Sequence, residues 1–393
     1  MKRTLLGDVC EVNPAPKALD LESQCSFVPM EYVDEYSGSI TQTSVRRVVE
    51  VMKGYTYFKE GDVLFAKITP CMENGKCAIA KNLVNGIGFG STEFHVLRAK
   101  DEVIPEWIYY FLRQDHTRQM AARRMTGSAG QQRVPKSFLE DEALMPLPPL
   151  PEQQRIAAQL DKADRLRRLR RFALDLGETY LQSVFLEMFG DPVRNEKGWS
   201  RQILGELIEI NPGLSKKSFL RGDTSVTFVP MAAVDEEIAE ITLPEVREYQ
   251  EVAKGFTTFE EQDVLFAKIT PCMENGKSAI AKRLVNGVGF GSTEFHVLRP
   301  SKAALPEWLL AVVRSHAFRN LAQRSFTGTA GQQRVPTNFL ELFAIPVPPL
   351  ALQEKFAGVV RQYDRLRAQQ RESLRQAEML FGAMLEGSFQ PHP

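Results

Sequence analysis

Residues 65–76 read FAKITPCMENGK, and residues 266–277 repeat these letters without a change. Two more stretches recur at the same separation of 201 residues: GFGSTEFHVLR at 88–98 and 289–299, and GQQRVP at 130–135 and 331–336. A repeat of this length is the size of a domain rather than of a solenoid unit. The sequence therefore predicts two tandem copies of one fold.

The two copies are not equally alike along their length. Between 59–98 and 260–299, 35 of 40 positions are identical, whereas the segments 31–58 and 232–259 diverge much more. We expect a shared chemistry in the near-identical part, and the divergent segments are where the copies can differ in what they contact.

Each globular part is predicted to be mixed α/β. Short β-rich runs, among them DVLFAKI, AIAKNLV and FHVLR, are separated by Asn-Gly and Gly-rich turns. A helical run from Pro105 to Met125 carries Trp107, Tyr110 and Phe111 on its apolar side.

Proline clusters at 146–149 and 346–349 end the globular parts, because proline suits neither a central strand nor a helix interior. A long helix is predicted after each cluster, reaching roughly 50–60 Å. The predicted coiled-coil seam comprises Leu166, Leu169, Ala173, Leu176 and Tyr180 in the first helix, and Phe356, Val359, Tyr363, Leu366, Ala377, Leu380 and Met384 in the second. Neither stripe is wide enough to bury itself alone, so we expect the two helices to pack against each other.

Composition excludes several classes of protein. Hydrophobic residues make up 43% and charged residues 25% of the chain, which is typical of a globular protein and not of a disordered one. The 49 basic and 49 acidic residues balance, which excludes a globally basic protein but not a local basic face. No run of about 18 apolar residues predicts a membrane span. The start, MKRTLLGDVCEVNP, lacks the apolar run of a signal peptide, and five cysteines suit a reducing compartment, so a cytoplasmic protein is expected.

Basic residues concentrate in one segment of each copy. Residues 113–136 hold six basic residues against one acidic residue, and 314–337 hold four against none. A charge run is ordinarily a solvated helix face, but its recurrence beside TGSAGQQRVP and TGTAGQQRVP favours contact with phosphate. The run RLRRLRRF at 165–172 could line a duplex or bind a protein partner, and both remain open.

The turns of the repeated segment present side chains that can read DNA bases. Lysine can address guanine, asparagine and glutamine can address adenine, and glutamate can accept from the cytosine amine. We expect base readout by 67–76 and 91–95 and phosphate contact by 131–133. The candidate residues are Lys67, Thr69, Glu73, Asn74, Lys76, Ser91, Thr92, Glu93, His95, Arg123, Arg124, Gln131, Gln132 and Arg133 in the first copy. Their counterparts are Lys268, Thr270, Glu274, Asn275, Lys277, Ser292, Thr293, Glu294, His296, Arg324, Gln332, Gln333 and Arg334 in the second.

Two groups of residues suggest an alternative to DNA binding, as a catalytic or a metal-binding site. Asp62, Glu73 and Lys76 could hold Mg²⁺ and activate water, as in a metal-dependent endonuclease. A tight turn explains the polar residues at Glu-Asn-Gly-Lys equally well. Cys71 and Cys77 do not predict a metal site, because the second copy has serine in place of the second cysteine.

The chain resembles the specificity (S) subunit of type I restriction–modification systems over essentially its whole length. The resemblance rests on GQQRVPKSFLEDEALMPLPPLPEQQRI and GQQRVPTNFLELFAIPVPPLALQEKF, each leading into a long helix, and on FAKITPCMENGK and GSTEFHVLR. The second exit departs from the family pattern, with Ala351 and Leu352 before Gln353. The resemblance implies two α/β target-recognition domains, at 1–150 and 191–350. It further implies two helices, at 151–190 and 351–390, that form an antiparallel coiled-coil spacer.

The resemblance also implies what the protein does. An S subunit has no active site; each recognition domain reads half of a bipartite DNA site. Two methyltransferase subunits and the restriction (translocase) subunits join it, and S-adenosylmethionine, ATP and Mg²⁺ serve those partners rather than this chain. Because the predicted reading loops are identical in the two copies, we expect a near-palindromic target.

Overall fold

A computed structural model describes residues 3–16, 18–128, 130–215, 220–329 and 331–390. Ala129 and Ala330, which belong to the two loops before GQQRVP, lie outside the described residues. Contacts divide the chain into two compact units: Met1–Phe172 with Arg371–Pro393, and Ala173–Gln370. The boundary between the units falls within the two long helices.

Among the described residues, the first unit holds twelve strands and the start of a long helix. The strands are β1 (Arg3–Leu5), β2 (Cys10–Val12), β3 (Gln24–Val28), β4 (Val33–Asp34), β5 (Ser39–Ile40), β6 (Ser44–Arg47), β7 (Thr56–Lys59), β8 (Val63–Ala66), β9 (Cys77–Ile79), β10 (Ile87–Gly90), β11 (Phe94–Ala99) and β12 (Leu144–Pro146). The helices are α1 (Leu6–Val9), α2 (Val48–Val51), α3 (Pro105–Arg113), α4 (Asp115–Arg123) and α5 (Leu150–Phe189).

Two four-stranded sheets form the body of this unit. Their strand orders are β2-β11-β8-β9 and β6-β3-β10-β7, and only the β3–β10 pairing is parallel. Strand β8, with the sequence VLFA, is buried along its whole length, as expected for a central strand. Two short pairs, β1-β12 and β4-β5, complete the unit.

The second unit repeats this order. Its strands are β13 (Arg201–Ile203), β14 (Ile208–Ile210), β15 (Ser225–Val229), β16 (Val234–Asp235), β17 (Glu240–Ile241), β18 (Glu245–Glu248), β19 (Thr257–Glu260), β20 (Val264–Ala267), β21 (Ser278–Ile280), β22 (Val288–Gly291), β23 (Phe295–Pro300) and β24 (Ala344–Pro346). Its helices are α6 (Leu204–Leu207), α7 (Tyr249–Val252), α8 (Pro306–Arg314), α9 (His316–Arg324), α10 (Thr337–Leu342) and α11 (Leu350–Phe389). The sheets run β14-β23-β20-β21 and β18-β15-β22-β19. The mixed α/β fold class is confirmed.

The helical run predicted from Pro105 to Met125 is two helices. Gln114 has an extended backbone, with φ −61° and ψ 139°, and it separates α3 from α4. Trp107 on α3 is fully buried, and its indole N–H donates to the Pro146 carbonyl over 2.9 Å. Its ring also packs on Phe389 at a centroid distance of 4.3 Å, so α3 ties the domain core to the end of α11.

Both long helices are 40 residues long, and they run antiparallel where they meet. In the second unit Phe185 packs on Phe356, with ring centroids 5.7 Å apart. Gly177 precedes Phe185 in α5, and it faces Tyr363, which follows Phe356 in α11. A Cβ on Gly177 would lie 2.4 Å from the Tyr363 hydroxyl oxygen, so the glycine permits a close approach of the two helices.

The predicted seam of the first helix is wrong in its residues. Leu166, Leu169, Leu176 and Tyr180 are 40 to 55% exposed. The buried side is instead the one that carries Ile156, Leu160, Ala163 and Arg167. Along the second helix, Leu366 and Leu380 are also exposed, whereas Phe356, Tyr363 and Ala377 are buried as predicted.

A buried arginine explains why hydrophobic periodicity predicts the wrong inner face for α5. The Arg167 side chain is 7% exposed and forms an ion pair with Asp164, which is 2% exposed. It also donates to the Tyr36 carbonyl over 2.6 Å and lies over the Phe381 ring at 4.7 Å. A charged residue can occupy the inner face when all its partners are supplied, but hydrophobic periodicity does not predict it.

The glutamine at the start of each long helix joins it to the domain. Gln153 is fully buried; its amide oxygen accepts from the Ile104 N–H, and its amide nitrogen donates to the Glu102 and Pro148 carbonyls. Gln353 makes the same three bonds, to Leu305, Ala303 and Pro348. The unusual residues before Gln353 therefore leave this attachment unchanged.

Candidate nucleic-acid interface

Three loops that are far apart in sequence meet at one end of strand β8. The Lys67 N–H donates to the Glu93 carbonyl, and the Lys67 carbonyl accepts from the Val134 N–H, both over 2.9 Å. Next to it, the Thr69 N–H donates to the Gln132 carbonyl over 3.0 Å. We call residues 67–76, 91–95 and 126–134, together with 268–277, 292–296 and 327–335 in the second copy, the loop clusters.

The second loop cluster repeats these contacts. Lys268 bonds through its backbone to Glu294 and Val335 over 2.9 Å, and the Thr270 N–H donates to the Gln333 carbonyl over 3.0 Å. The loops predicted to read bases and the loop predicted to hold phosphate therefore lie side by side in both units.

An ion pair joins the second and third loops of each cluster. The Arg133 Nε and Nη2 atoms donate to the two Glu93 carboxylate oxygens over 2.9 and 2.8 Å. The corresponding Arg334–Glu294 distances are 2.8 and 2.7 Å. These bonds hold the pKa of Glu93 and of Glu294 below the usual glutamate range. No sequence pattern predicts this pair directly, although the 40-residue separation of its members is the same in both copies.

Lys67 and Lys268 leave their ammonium groups available. Each is half-buried at the end of its central strand, and in the described part of the chain neither forms an ion pair. Thr69 and Thr270 differ in their side-chain contacts. The Thr69 hydroxyl donates to the Met125 sulfur over 3.3 Å, whereas the Thr270 hydroxyl donates to the Glu274 carboxylate.

Lys76 and Lys277 are already engaged within the protein. The Lys76 Nζ atom lies 3.4 Å from the Glu35 carboxylate and 3.4 Å from the Met30 carbonyl, with 16% of its side chain exposed. Lys277 binds Glu236 at 3.3 Å in the same way. These lysines bind residues of the divergent segments, 31–58 and 232–259, to the loop clusters.

The remaining side chains of the first two loops are more accessible. Asn74, Asn275, Thr92, Thr293 and Glu73 are exposed, whereas Ser91, Ser292 and Glu274 are half-buried. The Gln323 amide donates to the Glu274 carboxylate over 2.6 Å, so the two copies differ in the environment of this glutamate. In the third loop, Gln131 and Gln332 are exposed and Gln132 and Gln333 are half-buried.

The two histidines of the loop clusters are buried and fully bonded. The His95 Nε2–H donates to the Val134 carbonyl over 2.8 Å, and Nδ1 accepts from the Asn13 amide over 3.1 Å. His296 has the same partners in Val335 and Asn211. Burial lowers the pKa of both imidazoles, which favours the neutral ring. They hold the loops in place and have no free nitrogen to offer to a base.

Much of the positive charge in the basic segments is neutralised from elsewhere in the chain. Arg124 lies 2.6 Å from Glu142, Lys136 lies 2.7 Å from Glu140, and Arg118 pairs with Asp115. Arg113 and Arg319 instead donate to main-chain carbonyls. Arg123 and Arg324 are exposed, and neither forms an ion pair within the described ranges. Each lies three residues before the threonine, Thr126 or Thr327, that pairs with the loop-cluster arginine.

The residues of the proposed endonuclease site are not assembled. Asp62 precedes β8 and accepts from Arg98 over 2.9 and 2.7 Å, which neutralises its carboxylate. Lys76 lies at the other end of β8, where its carbonyl accepts from the Ala66 N–H over 3.0 Å. About 13 Å of strand separates these two positions. The structure therefore does not support an endonuclease site at Asp62, Glu73 and Lys76. In the second copy, Arg299 binds Asp263 in the same way.

Within the part of the chain that the structure describes, no three His, Cys, Asp or Glu side chains form a metal-binding group. Among the described helices, none combines the length and apolar character needed to cross a membrane. Burial raises the pKa of the Cys77 thiol to about 12, so this cysteine is a neutral core residue.

A family model described as the type I restriction modification DNA specificity domain matches residues 2–171 and 196–376. These two matches cover most of the chain and reproduce its duplication. The chain belongs to this family. The resemblance inferred from the repeated motifs is therefore confirmed.

Two curated relatives from Escherichia coli match parts of the chain. The chain is 35% identical to the type I restriction enzyme EcoEI specificity subunit over 203 residues, which is 50% of this chain and 34% of that protein. It is 40% identical to the EcoAI specificity subunit over 154 residues, 39% of this chain and 26% of that protein. The matches thus span about a third or less of these relatives.

Solved structures share the fold over the whole chain. One, from work on complex assembly and conformational transition of the type I R-M system, has a TM-score of 0.57 at 23% identity and covers 99% of this chain and 97% of its own. The type I restriction-modification S subunit from M. genitalium has a TM-score of 0.54 at 13% identity, with coverages of 100% and 96%. At these identities the likeness concerns the fold alone.

Proposed function

We propose that this chain is a non-catalytic specificity subunit that binds a bipartite DNA site and directs adenine methylation, and conditionally cleavage, by partner subunits. Residues 1–150 and 191–350 are the two recognition domains, and 151–190 and 351–390 are the spacer helices. The observation that carries this proposal is the duplicated loop cluster, with the same backbone contacts and the same Arg–Glu pair in both copies.

The chemistry of the loop clusters supports a DNA ligand. Each presents an unpaired lysine, exposed amides and a half-exposed arginine close together, and this mixture of donors and acceptors suits base edges. Arg123 and Arg324 stand beside the clusters as cations for phosphate. The buried histidines are not part of the proposed contact set, and Lys76 and Lys277 act in it mainly as supports for the neighbouring segments.

Binding of duplex DNA by the full chain tests this proposal. The wild-type chain should enrich one interrupted motif from a pool of duplexes with randomised bases. Replacing Lys67 with alanine should weaken binding more than replacing Lys76, because Lys76 is engaged by Glu35. Equal binding of all sequences in the pool would contradict the proposal, as would DNA cleavage by the chain alone with Mg²⁺.

The proposed target is near-palindromic, because the loop clusters match residue for residue between 67–76 and 268–277 and between 91–95 and 292–296. Mapping methylated adenines genome-wide in cells that carry the system tests this point. Half-sites without inverted similarity would show that the divergent segments 31–58 and 232–259 decide the target.

We further propose that methyltransferase subunits dock on the long helices, with restriction subunits joining the complex, and that S-adenosylmethionine, ATP and Mg²⁺ serve those chains. Leu166, Leu169 and Phe172 support a protein partner on the first helix, because they are 40, 55 and 58% exposed on successive turns. A DNA backbone would gain nothing from these leucine and phenylalanine side chains.

Replacing Leu169 and Phe172 together with serine should therefore reduce co-purification of the methyltransferase subunit while DNA selection persists. Leu342→Ser is the matched control, because this leucine is 72% exposed and lies outside the long helices. If the double variant retained the methyltransferase as well as the control does, the stripe would not be its docking surface.

A further inference from the structure

The Arg133 side chain is held by the protein and is still partly open to solvent. Its guanidinium carries five N–H donors. Glu93 accepts from Nε and from one Nη2 hydrogen, and the Gln131 carbonyl accepts from one Nη1 hydrogen over 3.1 Å. Within the described residues no other acceptor bonds to this guanidinium, so one N–H remains on each terminal nitrogen. The side chain is 42% exposed.

Arg334 is held in the same way in the second copy. Glu294 accepts from Nε and Nη2, and the Gln332 carbonyl accepts from Nη1 over 3.0 Å. The side chain is 39% exposed. All three bonds recur in both units. This recurrence indicates that the fold sets the orientation of the guanidinium, and that the Arg–Glu pair is not an incidental surface ion pair.

Two N–H groups that lie in the plane of one guanidinium fit two kinds of acceptor. Guanine offers O6 and N7 in the major groove, and a phosphate offers two oxygens. The ion pair with glutamate distinguishes them. A carboxylate at 2.8 Å cancels much of the positive charge on which phosphate binding and counterion release depend. The same carboxylate fixes the plane of the fork, which base reading requires.

We propose that Arg133 and Arg334 each read a guanine in the major groove, and that Glu93 and Glu294 are positioning residues that aim them. This inference rests on the proposed DNA-binding function and specifies a base for it. Each half of the target then contains a guanine read by the same fork, with Lys67 or Lys268 beside it.

The variant Arg133→Lys tests the fork, because lysine keeps the charge but has no planar pair of donors. The experiment is selection of the full chain on a pool of randomised duplexes. We expect enrichment of guanine to fall about 5- to 150-fold at one position of one half-site, the range that corresponds to one bidentate base contact. Arg334→Lys should have the same effect in the other half-site only.

Glu93→Gln tests the positioning role. The amide keeps the size of the side chain but loses the charged acceptor, so the guanidinium should turn more freely. We expect relaxed guanine preference at the same position as in Arg133→Lys, and affinity for a duplex already lacking that guanine should not decrease. Glu294→Gln is the matched variant for the second half-site.

A phosphate contact would give a different result. In that case Arg133→Lys would leave the preferred motif unchanged at every position, and Arg133→Ala would weaken binding to all duplexes and lower the salt slope by about one. That outcome overturns the guanine assignment while leaving the DNA-binding function intact. Failure of the wild-type chain to select any motif would instead contradict the proposed function itself.

Discussion

The loop clusters and the divergent segments beside them keep their structure in different ways. Within the clusters the side chains are the same except for Ser128, which is Thr329 in the second copy, and the Arg–Glu pair recurs atom for atom. The divergent segments are held partly through main-chain carbonyls, beside the Lys76–Glu35 and Lys277–Glu236 ion pairs. Arg113 donates to the Tyr36 carbonyl where Arg314 donates to that of Glu237. Arg167 also donates to the Tyr36 carbonyl, whereas Arg367 donates to that of Ile238, one position farther along the second copy.

This difference teaches how one scaffold can tolerate change next to its binding loops. A carbonyl acceptor is present whatever the side chain is, so Tyr36 can become Glu237 without loss of the bond from Arg113 or Arg314. The edge strands of these segments differ in charge: β6 carries Ser44 and Arg47 where β18 carries Glu245 and Glu248. The divergent segments are thus free to alter charge and contacts while the loop clusters stay in place.

The largest expected effect follows from removing Arg167, which holds the divergent segment 31–58 through the Tyr36 carbonyl. Replacing Arg167 with alanine removes the more buried of the two ion pairs of Asp164, which is 2% exposed and then keeps only the pair with Arg168 at 3.2 Å. We expect a loss of about 3 kcal/mol in the free energy of unfolding of the first unit, measured by urea denaturation, at the lower end of the range for a broken buried pair. Arg367→Ala should cost less, because its partner Asp364 is 30% exposed. Equal losses would show that burial does not distinguish the two anchors.

The next effect concerns the attachment of the long helices, where the copies should behave alike. Gln153→Leu removes an amide that serves three main-chain groups, at Ile104, Glu102 and Pro148. We expect a loss of about 2–3 kcal/mol, because these groups lose their partners inside the protein. Gln353→Leu should destabilise its own unit to a similar extent. A cost in one copy only would contradict the equivalence of the two attachments.

A smaller effect is expected at a point where the helices themselves differ. The added methyl group of Gly177→Ala would contact the Tyr363 ring, so we expect a loss of about 1–2 kcal/mol. Gly358→Ala is the control in the same unit, because, apart from its chain neighbours and its own helix backbone, no described atom lies within 4 Å of its new methyl group. It should stabilise α11 by about 0.5–1 kcal/mol. Urea denaturation of both variants measures the difference.

The sequence predicts the architecture well because the repeats, the proline exits and the long helical patterns are all local signals. It predicts the three loops of the site for the same reason, since their turns are readable from Gly, Asn and Pro. The sequence does not predict which side chains remain available to bind a ligand after the protein's own contacts have formed. Arg133 lies in a basic segment, yet its charge is met by Glu93, which is 40 residues away in the chain.

The prediction of the coiled-coil seam was wrong for a related physical reason. The inner face of α5 carries Arg167 and Gly177, one satisfied by Asp164 and the other needed for close packing with Tyr363. Neither residue contributes to a hydrophobic periodicity. The leucines at 166 and 169 do, and they form the exposed stripe instead. Periodicity therefore located the helix correctly and misassigned its faces.

The smallest expected effect is a pH dependence that both loop clusters should share. Burial holds the pKa of His95 and of His296 below the ordinary value of 6.5, so the folded protein keeps both rings neutral. In the unfolded chain these rings take up protons as the pH falls through 6.5, while the folded rings do not. Their contribution to stability is therefore complete above pH 6.5 and is lost as the pH decreases toward the folded pKa.

Nitrogen NMR of the imidazole rings tests this directly, with His116 and His316 as internal controls because both lie outside the loop clusters. As the pH falls below 6.5, the rings of His95 and His296 should stay neutral longer than a free imidazole, with the proton on Nε2, as their bonds to the Val134 and Val335 carbonyls require. The midpoint of urea denaturation should also decrease as the pH falls below 6.5. A ring that takes up its proton as a free imidazole does, in one copy alone, would separate the two clusters, whose bonding is otherwise the same.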